Sequence, residues 1–361
     1  MQIVPEFRRE RCVRYRYSYS ACSRCQEACP HEAVTLSGEG AAIDAARCRN
    51  CALCVAACPT EAWSAENLPH IELLKQAANA AHFAFACTPS QADGDARVPC
   101  LGALDATLLA YLAGRGVSVE LKGSWHCGAC ALGGKGAAML AFAQEGLACL
   151  RAGIGDEKWS PVVLTEPETA KETPQINASR RQLFRRFAGR AVAEVARLDT
   201  PQQQAPAALK AVRAAAPFST VRRELVQAIW PAGGAGELPY TAVLPLAAIK
   251  LDPGCSACET CARVCPTGAL TIRESQVNWE LAFQFNRCVA CGVCLEACQP
   301  GVLDFAAAVP LATGRNKEAV PLHTLDKRRC TRCDRFFITS GAEALCPICG
   351  GDDQDFASIF G

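Results

Sequence analysis

Regularly spaced cysteines are the residues of this chain with the clearest chemistry. The 361 residues include 25 cysteines, and three segments, 48–58, 255–265 and 288–298, read C-x2-C-x2-C-x3-C. Two-residue gaps let a tight loop turn three thiolates toward one face of a cubane cluster, and the fourth cysteine starts a helix that leads away. The pattern therefore favours an iron–sulfur site over buried structural cysteines or zinc.

Most of the remaining cysteines also form groups of four. An incomplete copy of the motif holds Cys22, Cys25 and Cys29, with Tyr19 where its first cysteine is expected and Cys12 further upstream. A middle group and a C-terminal group follow: Cys87, Cys100, Cys127 and Cys130, then Cys330, Cys333, Cys346 and Cys349. These groupings fit centres that take four thiolates each.

Composition and charge bear on location and partners. The chain has 37 Lys and Arg residues and 36 Asp and Glu residues. The resulting net charge of +1 argues against electrostatic binding of nucleic acid or an anionic membrane by the protein as a whole. No apolar run reaches 18 residues, and residues 8–12 are polar where a signal peptide needs an apolar stretch, so we predict no transmembrane helix. We expect a cytoplasmic protein, whose reduced thiols serve as metal ligands rather than disulfides.

Two regions, about residues 10–66 and 250–306, resemble the two-cluster bacterial ferredoxin module. A short hairpin is predicted between the two cysteine segments of each region, pairing 33–36 with 42–44 and 270–272 with 276–278. The resemblance implies a [4Fe-4S] cluster at each of four sites, with crossed ligation. The last cysteine of each segment then binds the cluster of the other segment.

This crossed pattern implies the ligands of three sites directly. Site 2 consists of Cys29, Cys48, Cys51 and Cys54, site 3 of Cys255, Cys258, Cys261 and Cys298, and site 4 of Cys265, Cys288, Cys291 and Cys294. Gln299 replaces the proline expected after the last cysteine of the second module, which affects the local turn and not the ligand.

Site 1 departs from the pattern because its first cysteine is missing. Our hypothesis is that Cys12 supplies the fourth ligand across an insertion, so that site 1 consists of Cys12, Cys22, Cys25 and Cys58. The alternative is a three-iron cluster with Cys12 free.

Residues 71–150 are predicted to form a small α/β domain. Apolar runs at 82–86 and 117–121 favour strands, and 104–112 has helical spacing. Cysteines near strand ends and a Pro-Cys-x-Gly turn resemble the iron–sulfur delta subunit found with methyl-viologen-type hydrogenases and heterodisulfide reductases. The resemblance implies a [2Fe-2S] cluster at site 5, Cys87, Cys100, Cys127 and Cys130; zinc or no cluster are the alternatives. Cys149 lies in an apolar helical stretch and is predicted to be a core residue.

Two C-terminal C-x2-C knuckles predict a structural metal site, site 6, formed by Cys330, Cys333, Cys346 and Cys349. The twelve residues between the knuckles favour a zinc ribbon. The second knuckle, Cys-Pro-x-Cys-Gly, is similar to that of rubredoxin, which would bind iron instead.

The predicted fold is α+β and has five parts. A dicluster ferredoxin module (1–70) precedes the α/β domain (71–150), a helical spacer (151–248), a second module (249–310) and a zinc ribbon (322–361). Within the spacer, 179–198 is predicted to be a basic amphipathic helix, with either a solvated face or a docking surface for an acidic partner. Residues 200–206 and 231–236 are predicted linkers.

No dinucleotide-binding or phosphate-loop motif is present, and no catalytic residues are predicted. We expect an electron carrier or an electron-transfer subunit rather than an enzyme. By resemblance, its partner is a cytoplasmic molybdenum, tungsten or nickel oxidoreductase, such as a formate dehydrogenase or a hydrogenase. The alternative is an iron–sulfur assembly or regulatory factor whose zinc ribbon binds a protein or nucleic acid.

Overall fold

A computed structural model describes residues 3–166, 211–233 and 236–350. The helix predicted at 179–198 and the linker predicted at 200–206 lie outside the described residues, as do two residues of the linker predicted at 231–236. Helices and strands are mixed throughout, as expected for an α+β chain.

Short helices dominate the two cysteine-rich ends, and the longer helices lie between them. In the described residues they are α1 (Val13–Arg16), α2 (Arg24–Glu27), α3 (Leu53–Ala57), α4 (His70–Ala77), α5 (Ala106–Gly114), α6 (Gly133–Ile154), α7 (Val221–Ile229), α8 (Thr260–Val264) and α9 (Val293–Glu296).

The strands are short and form several small sheets. They are β1 (Glu6–Phe7), β2 (Val34–Ser37), β3 (Gly40–Ile43), β4 (Trp63–Ser64), β5 (His82–Cys87), β6 (Ala96–Val98), β7 (Ser118–Lys122), β8 (Val162–Thr165), β9 (Glu237–Pro239), β10 (Ile249–Leu251), β11 (Leu270–Glu274), β12 (Asn278–Phe283), β13 (Leu303–Phe305), β14 (Ala308–Pro310), β15 (Val320–Arg329) and β16 (Phe336–Thr339).

Both predicted hairpins are present, and the pairing predicted for the first is confirmed. In the second, the pairing predicted between 270–272 and 276–278 is wrong: 270–272 pair with 281–283, because the first strand continues to Glu274 and the turn comes later. β2 pairs antiparallel with β3, and β11 pairs antiparallel with β12. The first turn is tighter than predicted, since Ser37 pairs directly with Gly40. Gly40 has a φ of 114°, and a Cβ there would come within 2.8 Å of the Phe7 ring, so the close approach of the N-terminal segment requires glycine.

The C-terminal knuckles continue the sheet of the second module, which the sequence did not predict. Strand β12 pairs on its other edge with β15, and β15 pairs with β16, giving the order β11-β12-β15-β16. The second edge of β12 presents backbone groups that need partners, and β15 supplies them.

A four-stranded parallel sheet of order β6-β5-β7-β8 forms the centre of the middle domain. The two predicted strands and the predicted helix are present as β5, β7 and α5. Asp105 caps α5 by accepting hydrogen bonds from the backbone N–H groups of Thr107 and Leu108. The fourth strand, β8, lies in the region that sequence analysis assigned to the spacer.

Helix α6 is the longest helix of the described chain. Its 22 residues are long and apolar enough to cross a membrane by length and composition. One face, which includes Leu140, Leu147 and Leu150, is buried, and the helix packs on α5 and on the 3-10 turn Leu101–Ala103. A core helix of a soluble domain passes the same test, so α6 is weak support for a membrane span.

Helix α7 connects the two cysteine-rich modules. Thr220 caps it, and the carboxylate of Glu61, from the first module, accepts the N–H groups of Val221 and Arg222, both at 2.9 Å. The consecutive side chains of Arg222 and Arg223 are both buried. They extend to different modules, as described below.

Candidate iron–sulfur centres

The four cysteines proposed for site 1 face one another. Burial, with the neighbouring thiolates Cys58 and Cys22 adding to it, raises the pKa of Cys12 to about 11. Burial raises the pKa of Cys25 to about 12, and the thiolates of Cys58, Cys12 and Cys22 act in the same direction. The N-terminal segment thus brings Cys12 to the sulfurs of the incomplete motif.

The four cysteines of site 2 line one pocket of about 320 Å³, a volume that includes solvent at its mouth. The backbone N–H of Ala33 lies 3.3 Å from the Sγ of Cys29, and that of Asn50 lies 3.4 Å from the Sγ of Cys48. Burial raises the pKa of Cys54, and thiolates that include Cys51 and Cys29 raise it further. The cysteine from the first segment therefore joins three from the second, in the crossed arrangement.

The second module repeats this arrangement. All four site 3 cysteines line a cavity of about 370 Å³. At site 4, burial raises the pKa values of Cys291 and Cys294, and the charge of Cys265 adds to both. The crossing cysteines, Cys298 and Cys265, thus lie with the partner segment in each case.

These four sites fit iron–sulfur clusters by donor chemistry. Four sulfur ligands are the set that clusters of this type use. Neutral thiols are favoured where burial and neighbouring thiolates raise the pKa, so bound iron is needed to hold all four sulfurs as thiolates. N–H groups directed at sulfur stabilise the thiolate and tune the reduction potential of a bound cluster.

Site 5 lies at the carboxyl edge of the parallel sheet of the middle domain. Cys87 ends β5, Cys100 follows β6, and the other two cysteines follow β7. All four line an enclosed cavity of about 320 Å³. Burial raises the pKa of Cys87, and the thiolates of Cys130 and Cys127 add to the increase. Cys149, by contrast, lies on α6 and packs partly buried against the core.

Site 6 has the geometry of a single-metal site. The sulfur atoms of Cys330, Cys333, Cys346 and Cys349 lie within 4.8 Å of one another. The N–H of Cys346 lies 3.3 Å from the Sγ of Cys330, and this hydrogen bond lowers the pKa of Cys330 to about 6. A thiolate already favoured at neutral pH suits metal binding.

Adjacent sites share neighbours, which sets their spatial order. The thiolate of Cys25 in site 1 raises the pKa of Cys54 in site 2, after burial and the charge of Cys51. Burial raises the pKa of Cys100 in site 5 to about 12, and Cys51 of site 2 contributes to that increase. Within the second module, Cys261 of site 3 is among the charges near Cys294 of site 4.

Sites 1 and 4 meet where the two modules touch. Val13, Val264, Val293 and Ala297 form an apolar cluster there, against which Cys22 of site 1 and Cys291 of site 4 are packed. The guanidinium of Arg24 donates to the carbonyl of Ala290 at 3.4 Å and lies near both cysteines. The five sites therefore follow one another in the order 3, 4, 1, 2, 5.

Three buried arginines at these junctions were missed by sequence analysis. Arg16 is 1% exposed and donates to the carbonyl oxygens of Glu10, Ala215 and Ala216. The thiolates of Cys265 and Cys291 are among the negative charges near it. Burial lowers its pKa. No spacing rule marks an arginine as buried, because long basic side chains usually extend into solvent.

The other two buried arginines are consecutive on α7 and serve different modules. Arg222 donates to the carbonyl oxygens of Val55 and Cys58 in the first module, at 2.8 and 3.0 Å, and lies 3.3 Å from a carboxylate oxygen of Asp105. Arg223 donates to the carbonyl oxygens of Phe285 and Asn286 in the second module, both at 2.9 Å. The apolar spacing of α7 predicts a helix, but its sequence does not reveal these contacts.

Comparison with known families supports the two cysteine-rich modules. Residues 20–62 and 254–302 each match the family model of the 4Fe-4S dicluster domain. The chain carries two 4Fe-4S dicluster domains. Cys12 lies outside the first matched segment, and sites 5 and 6 lie outside both. No curated protein and no solved structure matches the chain. The two domains support an iron–sulfur electron-transfer role.

Proposed function

We propose that this chain is a multi-cluster electron-transfer protein, either a free polyferredoxin or the electron-transfer subunit of an oxidoreductase, without a catalytic step of its own. The observation that carries the proposal is the continuous order of sites 3, 4, 1, 2 and 5, each adjacent to the next. Bound iron–sulfur clusters supply reversible one-electron transfer.

The chain's own residues hold these sites in line and balance their charge. Four thiolates at each site bring negative charge into the interior, which is costly unless cations lie close. Arg16 and Arg223 are buried beside site 4, and Arg222 is buried against the segment that carries Cys58 of site 1. Their hydrogen bonds to backbone carbonyls tie the modules together, which supports a fixed spacing between sites.

The ends of the row differ in exposure, which suggests where electrons enter and leave. At site 3, Cys258 is exposed to solvent. Site 5, at the other end, borders an open groove. We propose that a redox partner docks near site 3 and that this partner is a molybdenum, tungsten or nickel oxidoreductase. We propose that this protein and its redox partner are both cytoplasmic.

The ligand sets proposed for sites 1 to 4 are those of crossed ligation, with Cys12 as the fourth ligand of site 1. We propose a [2Fe-2S] cluster at site 5, in keeping with its enclosed set of four thiols. At site 6 we propose zinc, because two knuckles that close around one ion suit a structural ribbon.

Anaerobic purification with metal analysis tests this assignment. Four cubanes and one [2Fe-2S] cluster predict about 18 iron atoms and a matching amount of acid-labile sulfide for each chain, with about one zinc. Electron paramagnetic resonance during a redox titration is expected to show reversible cubane signals that a partner enzyme re-oxidises. A colourless preparation without sulfide would reject the proposal, and rapid loss of clusters to an apo-protein would favour the assembly factor.

A further inference from the structure

An open groove lies between sites 2 and 5. Its empty volume is about 1200 Å³, including solvent at the mouth. Cys51 of site 2 and Cys130 of site 5 both line it. The groove therefore adjoins the cavities of both sites, since Cys51 also lines the site 2 cavity and Cys130 the site 5 cavity.

The side chains around the groove are basic, neutral polar or apolar. Arg49 and Arg97 supply two guanidinium groups, and none of the described residues that line the groove is acidic. Within the described residues, the hydrogen bond of the Arg49 side chain is a long one, 3.4 Å to the carbonyl of Ala46 in its own turn. Arg97 pairs with Asp93 at 2.9 Å, but both side chains are largely solvent-exposed, so the pair is weak. Both guanidinium groups are therefore open to an anionic ligand.

Apolar surface and fixed polar groups complete the lining. Pro89, Pro99 and Leu132 offer a surface on which a ring can pack. The amide of Asn67 donates to the carbonyl of Asn50 at 2.7 Å, which fixes that wall. A preformed site costs less conformational entropy on binding than a flexible one.

The position of the groove in the fold is also one where ligands bind. Residues that follow β5, β6 and β7 contribute to it, so it lies outside the carboxyl ends of parallel strands. Open parallel sheets bind ligands in the crevice at that edge. The groove adds an adjacent ferredoxin module as a second wall, through His31, Arg49, Asn50 and Cys51.

We propose that this groove binds a redox-active ring compound of mononucleotide size that carries a phosphate group. The phosphate pairs with Arg49 and Arg97, and the ring lies against the sulfur ligands of sites 2 and 5. The oxidised ring accepts two electrons, one from each reduced cluster, and takes up two protons from water, while both clusters return to their oxidised state. This electron exchange rests on the proposed function, whereas binding itself does not.

Binding is tested on the full-length, iron-replete chain with flavin mononucleotide as the probe and riboflavin, which lacks the phosphate, as its neutral control. Anaerobic titration follows the fluorescence of the free flavin. We expect riboflavin to bind at least about tenfold more weakly, since one charge-assisted contact contributes about that factor. Equal affinity for the two flavins, or no saturable binding of either, would overturn the proposal.

Three arginine variants locate the site. Arg97→Gln is expected to weaken binding of flavin mononucleotide about tenfold, and Arg49→Gln by a similar factor. Arg115→Gln is the matched control, because this exposed arginine precedes β7 at the opposite edge of the sheet. Arg49 lies between two site 2 cysteines, so iron counts accompany that variant. Unchanged affinity in Arg97→Gln would contradict the proposal.

Asp93→Asn makes the opposite change. It frees Arg97 from its only carboxylate partner among the described ion pairs. Binding of flavin mononucleotide is expected to tighten by about two- to fivefold, in line with a surface ion pair of up to about 1 kcal/mol. Weaker or unchanged binding would count against Arg97 as a ligand contact.

Paramagnetic resonance separates this proposal from the electron-transfer role. Adding flavin mononucleotide to the reduced protein is expected to remove the signals of sites 2 and 5, and more slowly in Arg97→Gln. If the cluster counts are intact but the flavin does not bind, the groove proposal fails and the electron-transfer proposal stands. If the flavin binds but no clusters are found, the electron-transfer proposal fails and the binding of the flavin in the groove stands.

Discussion

The two dicluster domains share a motif but lie in different surroundings. In the first, the hairpin β2–β3 forms a two-stranded sheet, and one proposed ligand, Cys12, lies outside the motif. In the second, the hairpin β11–β12 continues into β15 and β16, and every proposed ligand lies within the motif. The first domain joins the middle domain, whereas the second leads to the four C-terminal cysteines that could hold a metal ion. A motif thus specifies ligands but not what surrounds them.

Within the second domain, sites 4 and 3 differ in burial and in nearby charge. Cys288 and Cys294 at site 4 are buried, and the buried guanidinium groups of Arg16 and Arg223 lie beside the site. At site 3, Cys258 is exposed. Reduction potentials depend on nearby charge, hydrogen bonds and solvent exposure. Because cations favour the reduced, more negative cluster, we expect site 4 to have the higher potential of the two.

Removal of Cys12 is the most drastic way to test the contrast between the domains. Cys12→Ser is expected to convert site 1 to a three-iron cluster or to empty it, because the cysteines near it from other sites, Cys54 and Cys291, already serve sites 2 and 4 in the proposed ligand sets. Iron analysis and paramagnetic resonance measure the loss. Cys149→Ser, on α6 outside every site, is the control and should retain all iron. If Cys12→Ser kept its full cubane content, Cys12 would not be a cluster ligand and would be a free thiol in the unaltered protein.

Arg223→Ala tests whether the second domain depends on its buried cation. The carbonyl groups of Phe285 and Asn286 lose their donors, and site 4 loses a neighbouring positive charge. We expect the free energy of unfolding to fall by about 3 kcal/mol and the potential of site 4 to decrease. Denaturant unfolding and a redox titration measure the two effects. Arg273→Ala, an exposed arginine of the same domain, should change neither.

Cluster loss should distinguish sites 3 and 4 in the native protein. An oxidant or chelator reaches exposed sulfur first, so site 3 is expected to lose its iron faster than site 4. Paramagnetic resonance after timed exposure to air follows each signal. Simultaneous loss of both would mean that the domain opens as a unit, and the exposure of Cys258 would then have no consequence for stability.

A smaller effect concerns pH and comes from His70, the first residue of α4, which lies near Arg222 of α7. Burial lowers the pKa of His70, and Asp105, Arg222 and Glu61 are the charged groups that face it. In the unfolded chain the histidine has its usual pKa of about 6.5, so below that pH the unfolded chain binds more protons than the folded one. The free energy of unfolding therefore falls as pH decreases through that value. The slope cannot exceed about 1.4 kcal/mol for each pH unit. His70→Gln should flatten it in unfolding measurements from about pH 7 down to about pH 5, which covers the range below the unfolded value. An unchanged slope would contradict this origin.

Much of the local structure could be predicted from the sequence. The two hairpins, strands β5 and β7 and helix α5 follow from short-range apolar patterns and turns. Strand β8 and the pairing of β15 with β12 were not predicted, because each joins residues far apart in the chain. The role of α7 was missed for the same reason: Arg222 and Arg223 have identical chemistry, and only their neighbours assign them to different domains.

Cysteine spacing groups the thiols within each segment, since two-residue gaps restrict how far neighbouring thiols can separate. The crossed ligand sets were expected from the resemblance to the two-cluster ferredoxin module. Spacing carries no information on distances between sites that lie dozens or hundreds of residues apart. Tertiary packing decides that Cys12 reaches site 1, that site 1 meets site 4 and that Cys51 lies next to Cys100. Apolar burial and arginine contacts across module boundaries bring these segments together, and no local pattern encodes such contacts.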